Sequence, residues 1–185
     1  MTKTLKELTK ERHTKAEKTL FIKKLLKKEL TPHQYYVYLS NQASMYWFLE
    51  SYASDHGIFD GIEEMKRLRH ILDDLKGIEK EYGFRRPIHT KTTERYLSFI
   101  RDHGGDKETL LAHVYVRHLG DLSGGQIIKR FVPVTQTKHY DFNGNTEEIK
   151  TKFKKRVPVA LAPKANECFD FMIDFFKDLE VEFGF

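Results

Sequence analysis

The sequence predicts an all-α fold, a single domain over residues 1–185 built as a bundle of seven or eight helices. Three observations carry this. Only five prolines occur in 185 residues, so long stretches lack a helix breaker. Apolar residues recur at helical rather than strand spacing. Helix-start signals, such as Thr31-Pro32 and Asp106, stand just ahead of those stretches. With 39% hydrophobic and 13% aromatic residues, the chain can bury a core without disulfides and does not have a disordered composition.

Taken in order, Leu5, Leu8, Ala16 and Leu20 can line one side of an opening helix with charged residues in the gaps. Thr31 as N-cap and Pro32 at the first helical position open a second helix over about 33–54. Its aromatic residues, among them Tyr35, Tyr36, Tyr38, Tyr46 and Trp47, fall all round the helix and predict a central, buried element. His56-Gly57 and Asp60-Gly61 mark turns. A helix over 62–75, resuming over 78–82, ends before Arg86-Pro87, and another over 93–101 ends at Gly104-Gly105. Asp106 caps a long helix over about 108–131, closed by Pro133. Segment 134–145 contains Asn143-Gly144-Asn145 and reads as a loop or small hairpin. Helices over 146–156 and 163–182 complete the chain, which has no internal repeat and no linker.

The 32 basic residues against 27 acidic ones give a net charge of +5. Basic clusters at Lys23-Lys24, Lys27-Lys28 and 152–156 read first as solvated helix faces; the functional alternative is a landing surface for an acidic partner. There is no RNA-binding signature and no zinc-finger spacing, so nucleic acid is not the expected partner. The single cysteine, Cys168, excludes an internal disulfide framework and reads as a small buried hydrophobe. The charged stretch 1–10 does not look like a signal peptide, and no apolar run reaches membrane-spanning length. The expectation is a cytoplasmic protein with no membrane anchor.

Two constellations could carry chemistry. Lys6, Lys10, His13 and Glu17 are separated by four, three and four residues, which puts them on one stripe of the first helix. A carboxylate one turn from an imidazole can accept its ring N–H, fix the tautomer and raise the basicity of the other nitrogen. Spacing alone also describes a solvated stripe with one incidental histidine. The second constellation is segment 115–126, in which Gly120, Gly124 and Gly125 interrupt a good helix at about 1 kcal/mol each relative to alanine. Such a cost is tolerated where a backbone passes close to a ligand or where the helix bends. Gly120 and Gly124 share a face, with Arg117 and Asp121 one turn apart beside it. Close helix–helix packing explains the glycines equally well. A phosphate loop does not, since Gln126 and Ile127 stand where lysine and a hydroxyl residue are required. There is no Glu-x-x-His pair for a di-iron bundle, no zinc-protease signature and no nucleophile elbow.

Segment 115–126, with Gly120-Asp121-Leu122-Ser123-Gly124-Gly125-Gln126 at its heart, closely resembles the signature of heme oxygenases. The opening run from Leu5-Lys6-Glu7 to His13-Thr14 and Ala16-Glu17 is similar to the proximal helix of the same family, and the likeness extends loosely over nearly the whole chain. The resemblance implies heme b, both substrate and cofactor, between a proximal first helix and a glycine-kinked distal helix. It implies His13 as the axial ligand of the heme iron and Glu17 as acceptor from its other ring nitrogen. Lys6, Lys10 and Tyr115 would meet the heme propionates, together with Lys152 and Arg156; a deletion nearby leaves Lys154 as an alternative to Lys152. Asp121 and Arg117 would organise distal water, Gly120 and Gly124 would approach the heme face, and Phe169 and Phe176 would pack against the pocket. His118 departs from the pattern, standing where the motif often carries a phenol, and Met172 replaces a polar residue found in some relatives.

The implied reaction uses dioxygen as co-substrate and yields biliverdin, carbon monoxide and iron. With no flavin or nicotinamide motif, electrons would come from a ferredoxin or a flavin reductase, and the +5 charge suits an acidic donor. The alternatives are a heme carrier or sensor of this fold without turnover, and a thiaminase-like enzyme of the related helical fold that would need a reactive cysteine.

Overall fold

In a computed structural model, which describes residues 3–185, short polar residues open most of the eight α-helices. Thr4 and Glu7 form a reciprocal capping box ahead of α1 (Leu5–Glu17), and Thr31 with Gln34 does the same for α3 (Pro32–Asp55). Side chains of Thr90, Asp106 and Asn145 accept first-turn N–H groups of α5 (Lys91–Asp102), α6 (Lys107–Ile128) and α7 (Thr146–Lys154). α2 (Leu20–Leu26) and α4 (Leu68–Tyr82) have no side-chain cap of their own. Each takes a carboxylate from a distant helix. Glu180 of α8 (Ala162–Phe183) accepts the Phe21 N–H at 2.9 Å, and Glu50 of α3 accepts those of Arg67 and Leu68 at 2.5 and 3.1 Å. Gly83 and Gly184 close α4 and α8 in the left-handed conformation.

Two helices organise the packing. α3 lies against α4, α5 and α6, while α8 runs along α1, α2, α5 and α6. The main core between them holds Phe21, Met45, Leu49, Tyr96, Leu110 and Phe175, all but free of solvent contact. Each contributes about 1.5–3 kcal/mol of burial. A smaller apolar cluster, including Tyr35, Leu39, Ile71 and Leu75, joins α3 to α4.

The expected helices are present, with four local differences. The opening stripe breaks at Thr19, which is extended and starts α2. Leu8 and Leu20 are therefore exposed, and α1 buries Leu5, Thr9 and Ala16 instead. Residues 63–65 form only a 3₁₀ turn, and α4 starts at Leu68 because Glu50 caps it there; it then passes through Gly77 without interruption. Segment 134–145 forms no hairpin: the described residues contain no strand. Asp74 accepts the N–H groups of Lys138 and His139 and the His139 ring, and the buried Arg67 donates to the carbonyls of His139 and Asp141. Side chains thus satisfy the groups that a hairpin ladder would have paired. Finally, Trp47 is 62% exposed although most of α3 is buried, and no contact explains its placement.

No helix among the described residues is long and apolar enough to cross a membrane.

Candidate functional site

α1 and α6 both contribute to a cleft of about 300 Å³, floored by α8 and backed by α3. From α1 come His13, Ala16 and Glu17; from α6, Gly120, Asp121 and Gly124. Phe169, Met172 and Phe176 of α8, with Ile22 and Leu25 of α2, supply apolar walls.

His13 and Glu17 lie on one face of α1. Glu17 lies one turn beyond His13, with its carboxylate 3.5 Å from Nδ1. The imidazole meets the Phe169 ring edge-on, with centroids 5.7 Å apart, which limits its rotation. Nδ1 faces the Glu17 carboxylate at contact distance, longer than a formed hydrogen bond, and Nε2 has no protein partner among the described residues. The side chain is 56% exposed, so burial in the core does not explain the histidine.

The glycines divide into two kinds. A Cβ added at Gly125 would stand 2.9 Å from the Tyr140 ring, so this glycine serves protein packing. A Cβ at Gly120 or Gly124 would meet nothing within 4 Å. Those two border open space on the side of α6 that lines the cleft, and helix packing does not explain them. α6 is continuous through all three.

Behind the glycines, polar side chains of α6 are held by α3. The Tyr46 hydroxyl donates to Asp121 Oδ2 at 2.5 Å. Burial pushes the Asp121 carboxyl upward, and the Tyr46 hydrogen bond works against that shift. Arg117 is buried and donates to Tyr96 Oη at 3.1 Å, Gln42 Oε1 at 2.9 Å and Met45 Sδ at 3.0 Å. His118, also buried, faces Glu50 at 2.9 Å. Tyr38 and Tyr140 add two further phenols to the cleft wall, and Tyr140 reaches Tyr35 at 3.3 Å.

Of the residues singled out in the sequence, His13, Glu17, Arg117, Gly120, Asp121, Gly124, Phe169 and Phe176 come together in this cleft. Lys6 and Lys10 lie exposed on α1, two turns and one turn before His13, and the half-buried Tyr115 of α6 faces Thr9 of α1. Lys152 is exposed and paired with Glu148 at 2.7 Å. Arg156 is placed differently from expectation. Its guanidinium donates to the carbonyls of Ile58 and Asp60 at 2.9 and 2.6 Å, in a separate depression next to Gly57 and Lys107. A guanidinium held by two backbone carbonyls is not free to reach the cleft. Cys168 is fully buried, with its thiol pushed up to about 11 by burial, which leaves no reactive thiolate. The described residues contain no cluster of side chains arranged to hold a bare metal ion.

Gln42 and Glu50 were not singled out from the sequence, and Tyr38 and Tyr46 were read only as core aromatics, not as site residues. A sign of them exists: they follow one another in steps of four along α3, a polar stripe on a helix otherwise rich in apolar residues. Tyr140 carried no such sign, because it reaches the cleft from an irregular connector.

Comparison with known proteins agrees with this geometry. The family model for heme oxygenase matches residues 1–176. Heme oxygenase 1 of Bos taurus is 31% identical over 137 residues, covering 70% of this chain and 47% of the relative. Heme oxygenase of Guillardia theta is 29% identical over 203 residues, covering 97% of this chain and 86% of the relative. The chain spans 64% of mouse heme oxygenase 2, so it is shorter than several of the mammalian proteins it matches. Among solved structures, heme oxygenase from Leptospira interrogans superimposes with a TM-score of 0.81 at 27% identity, over 93% of this chain and 96% of that one. Heme oxygenase-1 from the cyanobacterium Synechocystis, in complex with heme, gives a TM-score of 0.85 at 24% identity, over 96% and 91%; it supports the fold. The chain belongs to the heme oxygenase family.

Proposed function

We propose that the cleft between α1 and α6 binds heme, and that the protein opens the porphyrin ring to biliverdin, carbon monoxide and iron, using dioxygen and electrons from a separate donor. The observation that carries this reading is the open space at Gly120 and Gly124 facing a cleft that also holds an imidazole whose Nε2 has no protein partner among the described residues. A flat apolar ring with a central metal fits both features, and the aromatic and aliphatic walls suit its faces. The relatives' names point the same way, and the Synechocystis structure contains heme.

Nε2 of His13 would hold the heme iron, with the Glu17 carboxylate placed to orient the ring and raise its basicity. Phe169 and Phe176 would pack on the ring, and Lys6, Lys10 and Tyr115 would receive the propionates. Lys152 or Lys154 completes that set; Arg156, tied to Ile58 and Asp60, does not. Bound heme supplies the iron that activates dioxygen, and the protein supplies position and protons.

On the distal side the chain's own groups have distinct tasks. Asp121 holds a proton-bearing water, and its raised proton affinity lets it exchange a proton without becoming a strong acid. Tyr46 fixes the carboxylate through Oδ2, leaving Oδ1 for solvent. Arg117 acts less directly than the sequence implied: three of its N–H groups are engaged by Tyr96, Gln42 and Met45, so it locks α6 against α3 and α5. The bare backbone at Gly120 and Gly124 keeps side chains off the ring face. The electron donor is an acidic ferredoxin or flavin reductase, in keeping with the +5 charge, and the compartment is the cytoplasm.

The test is direct. Purified protein mixed with hemin is expected to develop a Soret band; reductant in air then replaces it with a biliverdin spectrum and releases carbon monoxide. A Soret band that persists through reduction and oxygenation identifies a carrier and overturns the assignment.

A further inference from the structure

Glu50 and His118 form a buried polar pair one helical turn behind the cleft. The imidazole has no solvent contact, and its Nε2 lies 2.9 Å from Glu50 Oε1. Nδ1 is buried with no partner among the described residues. A bare ring nitrogen in that position costs less than an N–H with no acceptor, so the proton belongs on Nε2, which donates to Glu50. The carboxylate is itself fixed, since the same Oε1 accepts the N–H groups of Arg67 and Leu68 at the start of α4.

The placement of this pair relative to the cleft is informative. Tyr46 and Glu50 are one turn apart on α3, and Asp121 and His118 are one turn apart on α6. Two bridges therefore join the same two helices side by side: Glu50–His118 within the core, and Tyr46–Asp121 at the cleft. The His118 ring also packs against Tyr46, with centroids 4.8 Å apart, and against Phe59 at 5.1 Å. The cleft-side hydrogen bond weakens steeply with distance and so tolerates little change in helix separation. Packing alone would be served as well by two apolar residues, because a buried polar pair gains little net stability over a hydrophobic pair.

We infer that His118 is a positioning residue for Asp121, resting on the heme-cleft reading above: its bond to Glu50 sets the spacing of α3 and α6 at which Tyr46 can hold the Asp121 carboxylate.

The test uses His118→Phe, which keeps a ring without the donor, and His118→Gln, which places an amide donor near the Nε2 position. The first readout is made on hemin-free protein by proton NMR. The buried Tyr46–Asp121 hydrogen bond should slow exchange of the hydroxyl proton enough to give a downfield resonance, identified by its absence in Tyr46→Phe. It is expected in the wild type and in His118→Gln, and lost in His118→Phe. With hemin, His118→Phe should keep its affinity within about threefold while ring opening slows about tenfold, as for a misplaced group outside the reacting atoms. His118→Gln should restore the rate. If His118→Phe does not fold, His118→Met, which fills the same space with a flexible apolar chain, carries the same expectation. A donorless variant that keeps both the resonance and the wild-type rate overturns the inference. If the wild type itself makes no biliverdin, the functional reading fails, and the hydroxyl resonance alone decides the role of His118.

Discussion

The two walls of the cleft are built by opposite means. On α1 the working residues are exposed and related by local spacing: His13 and Glu17 pair at one turn's distance, and Lys6 and Lys10 follow on the same stripe. On α6 the working residues are held from outside the helix. Arg117, His118 and Asp121 are bound by Gln42, Glu50 and Tyr46, partners 68 to 75 positions away in sequence. The proximal wall can therefore lose a side chain without the fold responding, while the distal wall ties chemistry to stability. Each of the following measurements probes that contrast.

The largest effect is expected at His13. His13→Ala should abolish biliverdin formation, a loss of at least about 10²-fold, and added imidazole should restore part of it. Because the side chain is more than half exposed, the melting temperature of the hemin-free protein should barely change. Next comes Asp121→Ala, with a loss of about 10²-fold in biliverdin yield, in the range for removing a proton-transfer group. Here the fold should respond too, since the Tyr46 hydroxyl loses its acceptor at a buried site, at about 1–3 kcal/mol by urea denaturation. A normal biliverdin yield from Asp121→Ala would remove its assigned role.

Acid–base behaviour sharpens the distinction between buried carboxylates. Burial raises the Asp121 carboxyl above its usual 3.8, so the folded state binds its proton more tightly than the unfolded chain does. Its contribution to stability is full below that value and is lost as pH rises through the folded-state midpoint. Asp74 behaves oppositely. Burial pushes it up, but the His139 ring and two backbone N–H groups overcome this and hold it below 3.8. Its stabilisation is present at neutral pH and disappears as pH falls. Asp121→Asn should remove a decline in stability toward higher pH, whereas Asp74→Asn should remove a decline toward lower pH. Denaturation series from pH 3 to 7 on the hemin-free variants read both signs, and matching slopes in the two variants would contradict the assignment.

The smallest effect separates the glycines. Gly124→Ala adds a methyl to open space and should stabilise the hemin-free protein by about 0.5–1 kcal/mol through helix propensity. Gly125→Ala meets the Tyr140 ring at 2.9 Å and should gain nothing or lose stability. Hemin affinity should move the other way, falling for Gly124→Ala. Thermal melts with and without hemin measure both.

The same contrast explains what the sequence made legible. Helix count and most helix starts could be read because caps and periodicity are local: Thr31-Pro32 and Asp106 open helices as expected. α4 could not be bounded correctly, since its cap is Glu50, on another helix. His13, Glu17 and the glycine run carried a local pattern, and the motif likeness gave it meaning. Tyr46 and Glu50 carried only a four-residue step whose facing helix no local rule names, and Tyr140 carried nothing. Arg156 was misplaced for the complementary reason. Its position near Lys152 is local, but its carbonyl partners at Ile58 and Asp60 lie nearly a hundred residues earlier.

The central claim is that a flat iron macrocycle occupies the space between His13 and the bare face of α6. A crystal structure of the hemin-loaded protein tests it most directly. The account predicts iron bonded to His13 Nε2, with the opposite ring face against Gly120 and Gly124. Hemin bound elsewhere, or ligated by another side chain while those glycines face solvent, would contradict it.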